Sequence, residues 1–244
     1  MPVKSVILLI ATLLPAGAAL AQDSVPAGTI IPVSLCGSIS ADHARPGQEI
    51  RVEVMQSIPG TPIRRRAKIF GHIVAATHSK NGPAQLVLRF DAVEIHGRRV
   101  PLDVNLRALA SFNEVQAAQV PEEMGSRGIT PEVATTQQIG GENVYRGGGP
   151  VAFGDMIVGR PTPYGVLDVP RTQPGGACRG VVAGNTRPQA FWLFSSDACG
   201  VYGYDTIRIT ETGRSEPMGT ISLTAGKGPL KLYDGSGLLL RVQG

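Results

Sequence analysis

The stretch AQLVLRFDAVEIHGRRVPLDVNL, residues 84–106, decides the fold that we predict for this protein. Apolar and polar side chains alternate on either side of Asp91 and Ala92, which is the period-two pattern of strands that bury one face. The parity of the apolar positions changes between the two halves, so we expect a β-bulge near Asp91 and Ala92. His96 and Gly97 predict a tight hairpin with a positive φ at the glycine.

Three earlier runs show the same alternation, and turn-forming residues separate them. Each run places three residues on one face: Ile31, Val33 and Leu35 in the first, Ile50, Val52 and Val54 in the second, and Ile69, Gly71 and Ile73 in the third. Five or six antiparallel strands of this kind predict a small barrel or sandwich over residues 22–110.

The composition favours an all-β protein, because 31 Gly and 19 Pro make the chain rich in turn formers and only 17% of its residues are charged. Residues 111–177 are rich in Gly and Pro with little periodicity, so we expect a partly disordered connector with a short helix over residues 111–124. An irregular strand is expected within residues 151–169. Short runs that begin with residues 191–194 predict a second small antiparallel β domain over residues 178–244.

The N-terminus is typical of a cleavable secretory signal. Lys4 precedes an apolar run over residues 6–14, and small residues follow up to Ala21. The run is much shorter than the roughly 20 residues that span a bilayer. We therefore expect removal of residues 1–21, no membrane span in the mature chain, and a final location in the periplasm or outside the cell.

The chain has three cysteines, and cysteines tend to form disulfides in an oxidising compartment. Two of the three are therefore expected to pair and one to remain unpaired. We favour a disulfide between Cys178 and Cys199, because closing a loop of roughly 20 residues stabilises a chain by about 3 kcal/mol. Pairing of either residue with Cys36 stays open. If Cys178 and Cys199 pair, Cys36 is expected to be a buried thiol on a strand.

The net charge of +4 suggests an anionic partner, either nucleic acid or an envelope surface. The one basic run consists of Arg64, Arg65, Arg66 and Lys68, and no aromatic residues alternate with it as base-stacking platforms would. We therefore expect no nucleic acid partner. The three arginines are either a solvated strand end or a surface for a ligand or partner.

Aromatic residues concentrate beside the predicted disulfide, namely Phe191, Trp192, Phe194, Tyr202 and Tyr204. Such a cluster either packs a core or forms a platform for a carbohydrate or peptide. Strand parity would place Trp192 and Phe194 on one face, so this pair is a candidate for exposure. Together with Tyr202 and Tyr204 it forms the candidate ligand or partner surface.

No catalytic, metal or cofactor site is predicted. Ser195, Ser196 and Asp197 have the side chains of a nucleophile site, but no histidine follows His96 to activate a hydroxyl. We expect a capped turn there, with Asp197 bonded to local backbone. The four histidines, His43, His72, His78 and His96, are expected at the surface or in turns.

The segment PAGTIIPVSL, residues 26–35, resembles the opening strand of the TrbI-type β-barrel of conjugation and type IV secretion bridging proteins. Further matches are Pro46, Gly47, Gly71, Leu88, Phe90, Asp91 and Gly97. The resemblance covers residues 26–109, and it implies a barrel, assembly contacts and no catalytic residues. It departs from the family at residues 63–66, where Ile-Arg-Arg-Arg replaces an Ile-Pro-x-Gly turn.

The sequence therefore predicts an exported, non-enzymatic envelope protein with a structural or assembly role, and the resemblance links that role to a secretion or conjugation-like apparatus. Its expected partners are envelope proteins. One alternative is a secreted module that binds carbohydrate, such as polysaccharide, or peptide. A further alternative is a hydrolase with an unrecognised site.

Overall fold

The computed structural model describes residues 24–78, 82–119, 135–145, 150–153, 156–162, 165–169 and 187–244. The strands and the helix found in these ranges are β1 Ile30–Cys36, β2 Ile39–Ser40, β3 Glu49–Val54, β4 Lys68–Thr77, β5 Ala84–Ile95, β6 Arg98–Pro101, β7 Val104–Ala110, α1 Phe112–Ala117, β8 Thr135–Gln137, β9 Asn143–Tyr145, β10 Val151–Phe153, β11 Met156–Thr162, β12 Gly165–Asp168, β13 Gln189–Ala190, β14 Gly200–Tyr202, β15 Ile207–Thr212, β16 Ile221–Ala225, β17 Lys231–Leu232 and β18 Gly237–Val242. The predicted all-β class is confirmed. The predicted signal, residues 1–21, lies outside the described residues.

One large sheet organises the molecule. Its ten strands run in the order β14-β7-β18-β1-β3-β4-β5-β16-β15, with β6 also paired to β5. The pairs are antiparallel except β14 with β7, which are parallel. The sheet curls so that β15 at one end contacts β14 and β7 at the other. The described strand pairs do not close it into a barrel.

The last strands of the chain belong to the same sheet as the first ones. β18 lies between β1 and β7, and β16 pairs with β5. A single apolar cluster buries Ile31 and Phe90 together with Leu223 and Leu240. Residues 22–110 and 178–244 therefore do not form the two separate domains that we predicted. Alternation identifies which segments are strands, but it carries no information on which strand edges pair.

A second sheet forms where we expected a disordered connector. It has six short strands in the order β13-β12-β11-β10-β9-β8, and among the described residues Val144, Val151 and Val166 form its own buried apolar cluster. Each strand has only two to seven residues, too few to show a sustained alternation, which is why the sequence predicted a connector. Helix α1 is shorter than predicted within the described residues, and its N-cap, Ser111, accepts a hydrogen bond from the Glu114 amide at 3.2 Å.

The predicted bulge and hairpin are both confirmed. The β4–β5 ladder passes from the pair Phe70 and Ala92 directly to the pair Gly71 and Phe90, which leaves Asp91 as the extra residue. His96 and Gly97 then have φ values of 49° and 75°, the positive values of a tight two-residue hairpin between β5 and β6.

Another bulge, which the sequence did not predict, lies in β7. The β7–β18 ladder passes from the pair Ala108 and Leu239 to the pair Leu106 and Leu240, so Arg107 is the extra residue. The bulge changes the parity of β7, so Ala108 faces a second apolar cluster outside the curled sheet. Helix α1 and the turn around Phe194 complete that cluster. The described part of the chain contains no helix that is long and apolar enough to cross a membrane.

Candidate functional site

Residues 191–194 form a tight turn, whereas we predicted a strand. The Phe194 amide donates to the Phe191 carbonyl at 3.0 Å, and Trp192 has a φ of 55°. Phe191 and Phe194 are both fully buried. The predicted exposure of Phe194 beside Trp192 is therefore wrong, because the parity rule holds only along an extended strand.

Two buried glutamine side chains hold the backbone of Trp192. The Trp192 amide donates to Gln56 Oε1 at 2.8 Å, and Gln138 Nε2 donates to the Trp192 carbonyl at 3.1 Å. The same Gln138 nitrogen lies 2.8 Å from the Phe194 carbonyl. A bulky residue with positive φ is uncommon, and such a conformation persists where the surroundings fix it. These contacts therefore fix the backbone of Trp192 and the direction in which its Cβ leaves the turn.

Trp192 lines a hollow of about 460 Å³, which we call the Trp192 hollow. Its wall includes Gln119 just after α1, Thr136 on β8, Pro161 and Thr162 on β11, and Val166 on β12. The Trp192 side chain is partly exposed. The residues that line the hollow have aromatic, aliphatic, hydroxyl and amide side chains, and no described residue among them is charged.

The two tyrosines of the predicted surface do not line this hollow. The Tyr202 hydroxyl bonds to the amide and the carbonyl of Cys199 at 3.1 and 3.2 Å, and the Tyr204 hydroxyl lies 2.8 Å from Ser236 Oγ. Burial raises the pKa of Tyr202 and the pKa of Tyr204, so both phenols stay protonated at neutral pH. These hydroxyl groups therefore stabilise the fold.

Beneath the turn lies a buried polar network that starts at Arg107. Its guanidinium donates to the carbonyl of Ser196 at 2.7 Å and to that of Ala198 at 3.0 Å. Ser196 in turn donates through its amide, at 2.8 Å, and through its hydroxyl to the carboxyl of Glu142. Burial is the main cause that lowers the pKa of Arg107 to about 10, which still leaves a cation at neutral pH.

Ser195 and Ser196 belong to this network, and both are fully buried. Ser195 Oγ lies 2.8 Å from Asp197 Oδ1, so Asp197 bonds a local side chain where we expected local backbone. Each hydroxyl is engaged with a carboxyl group inside the protein. Neither can contact a substrate in this conformation, so the geometry gives these serines a structural role.

The basic run lies at the surface, because Arg64, Arg65, Arg66 and Lys68 are all exposed. A second hollow of about 630 Å³ lies beside Arg64 and is also lined by Thr162 and Leu167; we call it the Arg64 hollow. Leu167 follows Val166 on β12, and successive strand residues face opposite sides of a sheet. The two hollows therefore lie on opposite faces of β12 and adjoin at Thr162.

Cys36 differs from its expected state. It is a free and exposed thiol, whereas we expected it to be buried. It directly follows Leu35, whose side chain enters the core, so alternation turns Cys36 outward. Cys199 is buried, and its predicted partner Cys178 lies outside the described residues. The disulfide between Cys178 and Cys199 therefore stays a prediction.

Two histidines pair with carboxyl groups near the surface. His72 Nδ1 lies 2.7 Å from Asp91 Oδ2, and His78 Nδ1 lies 2.8 Å from Asp42 Oδ1. Within the described ranges, no three His, Cys, Asp or Glu side chains are grouped so as to hold a metal ion.

Comparison with known proteins adds no family to this site, because no protein-family model, no curated protein and no solved structure matches the chain. The resemblance of residues 26–109 to the TrbI-type barrel therefore stays a prediction.

Proposed function

We propose that this protein is an exported, non-enzymatic binding protein of the cell envelope and that the Trp192 hollow takes a neutral sugar unit of a polysaccharide. The observation that carries the proposal is the fixed, partly exposed Trp192 in the wall of a hollow of about 460 Å³. Ligand sites typically have volumes of roughly 300 to 1,000 Å³ and a few polar groups among apolar ones. The Trp192 hollow has that size and composition.

The lining favours a neutral sugar over a charged ligand. Aromatic faces suit amphipathic ligands, and the C–H face of a sugar ring packs on an indole while its hydroxyls reach polar groups. Gln138 lines the hollow and supplies such a group, because its Oε1 has no hydrogen-bond partner among the described residues. A charged ligand would find no charge of opposite sign among the described lining residues.

Replacing Trp192 by Ala is expected to weaken retention on neutral polysaccharide by about tenfold or more, because a central aromatic anchor dominates a small interface. Affinity electrophoresis through gels that contain dextran or galactan measures this change. Tyr233→Ala is the matched control, because Tyr233 is exposed and lies outside the hollow. Equal mobility of the wild type and Trp192→Ala in every polysaccharide gel contradicts the proposal.

An assembly role in the envelope is the second candidate, in line with the TrbI-type resemblance. The observation that favours it is Ile157 on β11, whose exposed fraction of 68% is the highest among the large apolar residues that the structure describes. A protein partner that packs on β11 would remove this side chain from water.

A photo-crosslinking residue at position 157 is expected to give a discrete adduct with an envelope protein in intact cells. The same residue at position 74 is the control, because Val74 is also exposed but lies on β4 in the other sheet. Adducts of equal intensity at both positions, or none at position 157, argue against the assembly role.

A further inference from the structure

The loop between β3 and β4, residues 55–67, is anchored in the core by two buried side chains. Ile58 and Ile63 are buried in the main apolar cluster, and the Ile58 amide donates to the Ile63 carbonyl at 3.0 Å. Thr61 bridges them, since its hydroxyl donates to the Ile58 carbonyl at 3.0 Å and accepts from the Ile63 amide at 3.2 Å. The loop is thus a rigid support for the residues that follow it.

Hydrogen bonds hold three consecutive arginines on this support. Arg64 Nη1 donates to the Thr61 carbonyl at 2.8 Å, the Arg65 amide to Ser57 Oγ at 3.0 Å and the Arg66 amide to the Val54 carbonyl at 2.7 Å. Arg66 also has a φ of 70°, which reverses the chain before β4. The side chains of all three arginines remain exposed.

The sequence of this loop contains basic residues and no acidic ones. Residues 54–90 contain no Asp or Glu. Lys68 lies opposite Glu53 in the β3–β4 ladder, but no carboxyl group among the described residues forms an ion pair with Arg64 or Arg66. The surface is therefore complementary to a ligand with several negative charges.

We propose that the arginine loop and the adjoining Arg64 hollow form a second binding site, which takes a segment of an acidic polysaccharide. Guanidinium groups bind carboxylates and phosphates through two parallel hydrogen bonds, so Arg64 and Arg66 can each hold one acidic group of the polymer. The hollow of about 630 Å³ beside Arg64 also has the Ser57 hydroxyl in its wall, which can donate to the sugar ring while it accepts from the Arg65 amide. This site goes beyond the proposed function, because it lies on the other face of β12 and takes a charged ligand.

The loop surface fits a polysaccharide better than a lipid bilayer. Membrane-binding loops insert exposed aromatic or aliphatic side chains. Here the two isoleucines of the loop point into the core, and the exposed residues at its tip are Pro59 and Gly60. The loop therefore offers charge and hydroxyl groups without an anchor for acyl chains.

The test compares binding of the full chain to polygalacturonate and to its fully methyl-esterified form, which has the same sugars without charge. The double variant Arg64→Gln/Arg66→Gln is expected to bind polygalacturonate about tenfold more weakly at low salt than the wild type. Added sodium chloride should reduce the wild-type affinity as well. The single variant Arg64→Gln should lose part of the affinity, and thermal unfolding confirms that each variant is folded.

The double variant Arg45→Gln/Arg208→Gln is the matched control, because it removes two exposed arginines elsewhere and changes the net charge equally. An equal loss in this control overturns the proposal, since binding would then follow net charge alone. Equal binding of the esterified polymer overturns it too. Binding to anionic lipid vesicles but not to polygalacturonate would assign the loop to a membrane surface.

The Trp192→Ala variant separates this proposal from the proposed function. It should retain wild-type affinity for polygalacturonate while it loses retention on neutral polysaccharide. The arginine variants should show the reverse behaviour.

Discussion

Replacing Arg107 by Ala is expected to lower the free energy of unfolding by about 3 to 5 kcal/mol, because it removes one member of a buried ionic network. The carbonyls of Ser196 and Ala198 then lose their guanidinium donor, and the Glu142 carboxyl is left buried without the nearby positive charge. Urea unfolding followed by far-UV circular dichroism measures the change. Trp192 is the only tryptophan, so its fluorescence reports the adjoining turn separately.

Arg208→Ala is the control for this experiment, because Arg208 is exposed on β15 and should change the free energy of unfolding by no more than about 0.5 kcal/mol. A double-mutant cycle with Glu142→Gln should give a coupling energy of roughly 0.5 to 3 kcal/mol, since Ser196 connects the two side chains. If Arg107→Ala lowers the free energy of unfolding by less than about 1 kcal/mol, the buried polar network around Arg107 does not contribute to stability as proposed.

Phe194→Ala is expected to cost about 3 to 5 kcal/mol of unfolding free energy, as truncation of a buried phenylalanine usually does. Phe194 is fully buried in the apolar cluster outside the curled sheet, and a Cβ built at Gly237 would lie 3.1 Å from its Cζ. The ring thus packs directly against the backbone of β18. Chemical unfolding followed by circular dichroism measures the loss.

Trp192→Ala is the natural comparison, since both residues belong to the surface predicted from the sequence. Trp192 is only partly buried, so its truncation should cost clearly less stability than that of Phe194 while it reduces polysaccharide retention. If Phe194→Ala had wild-type stability and reduced polysaccharide retention, Phe194 would be an exposed binding residue beside Trp192, as the sequence predicted.

Local features of the fold could be predicted because adjacent residues determine them. The change of parity at Asp91 predicted the bulge, and the His96-Gly97 pair predicted the hairpin. The bulge at Arg107 left no such signal, because β7 is buried on both faces and small apolar residues follow the arginine. An alternation that indicates one buried face cannot show where a second layer will pack.

The site itself depends on contacts between distant parts of the chain. Trp192 was a candidate residue, but its turn exists because Gln56 and Gln138, more than fifty residues away in sequence, bond its backbone. Gly140 allows that approach, since a Cβ at this position would overlap Ser195 Oγ. No pattern of composition or spacing along the sequence reports such pairings.

The position of β18 determines the order in which the molecule can assemble. Gly237–Val242 pair with β1 on one side and β7 on the other. During synthesis, β1 and β7 are therefore made long before the strand that joins them. Loop closure over such long separations in sequence slows folding. The pairing of β1 and β7 through β18 can therefore form only after residues 237–242 have been made, whereas β3, β4 and β5 can pair with one another earlier.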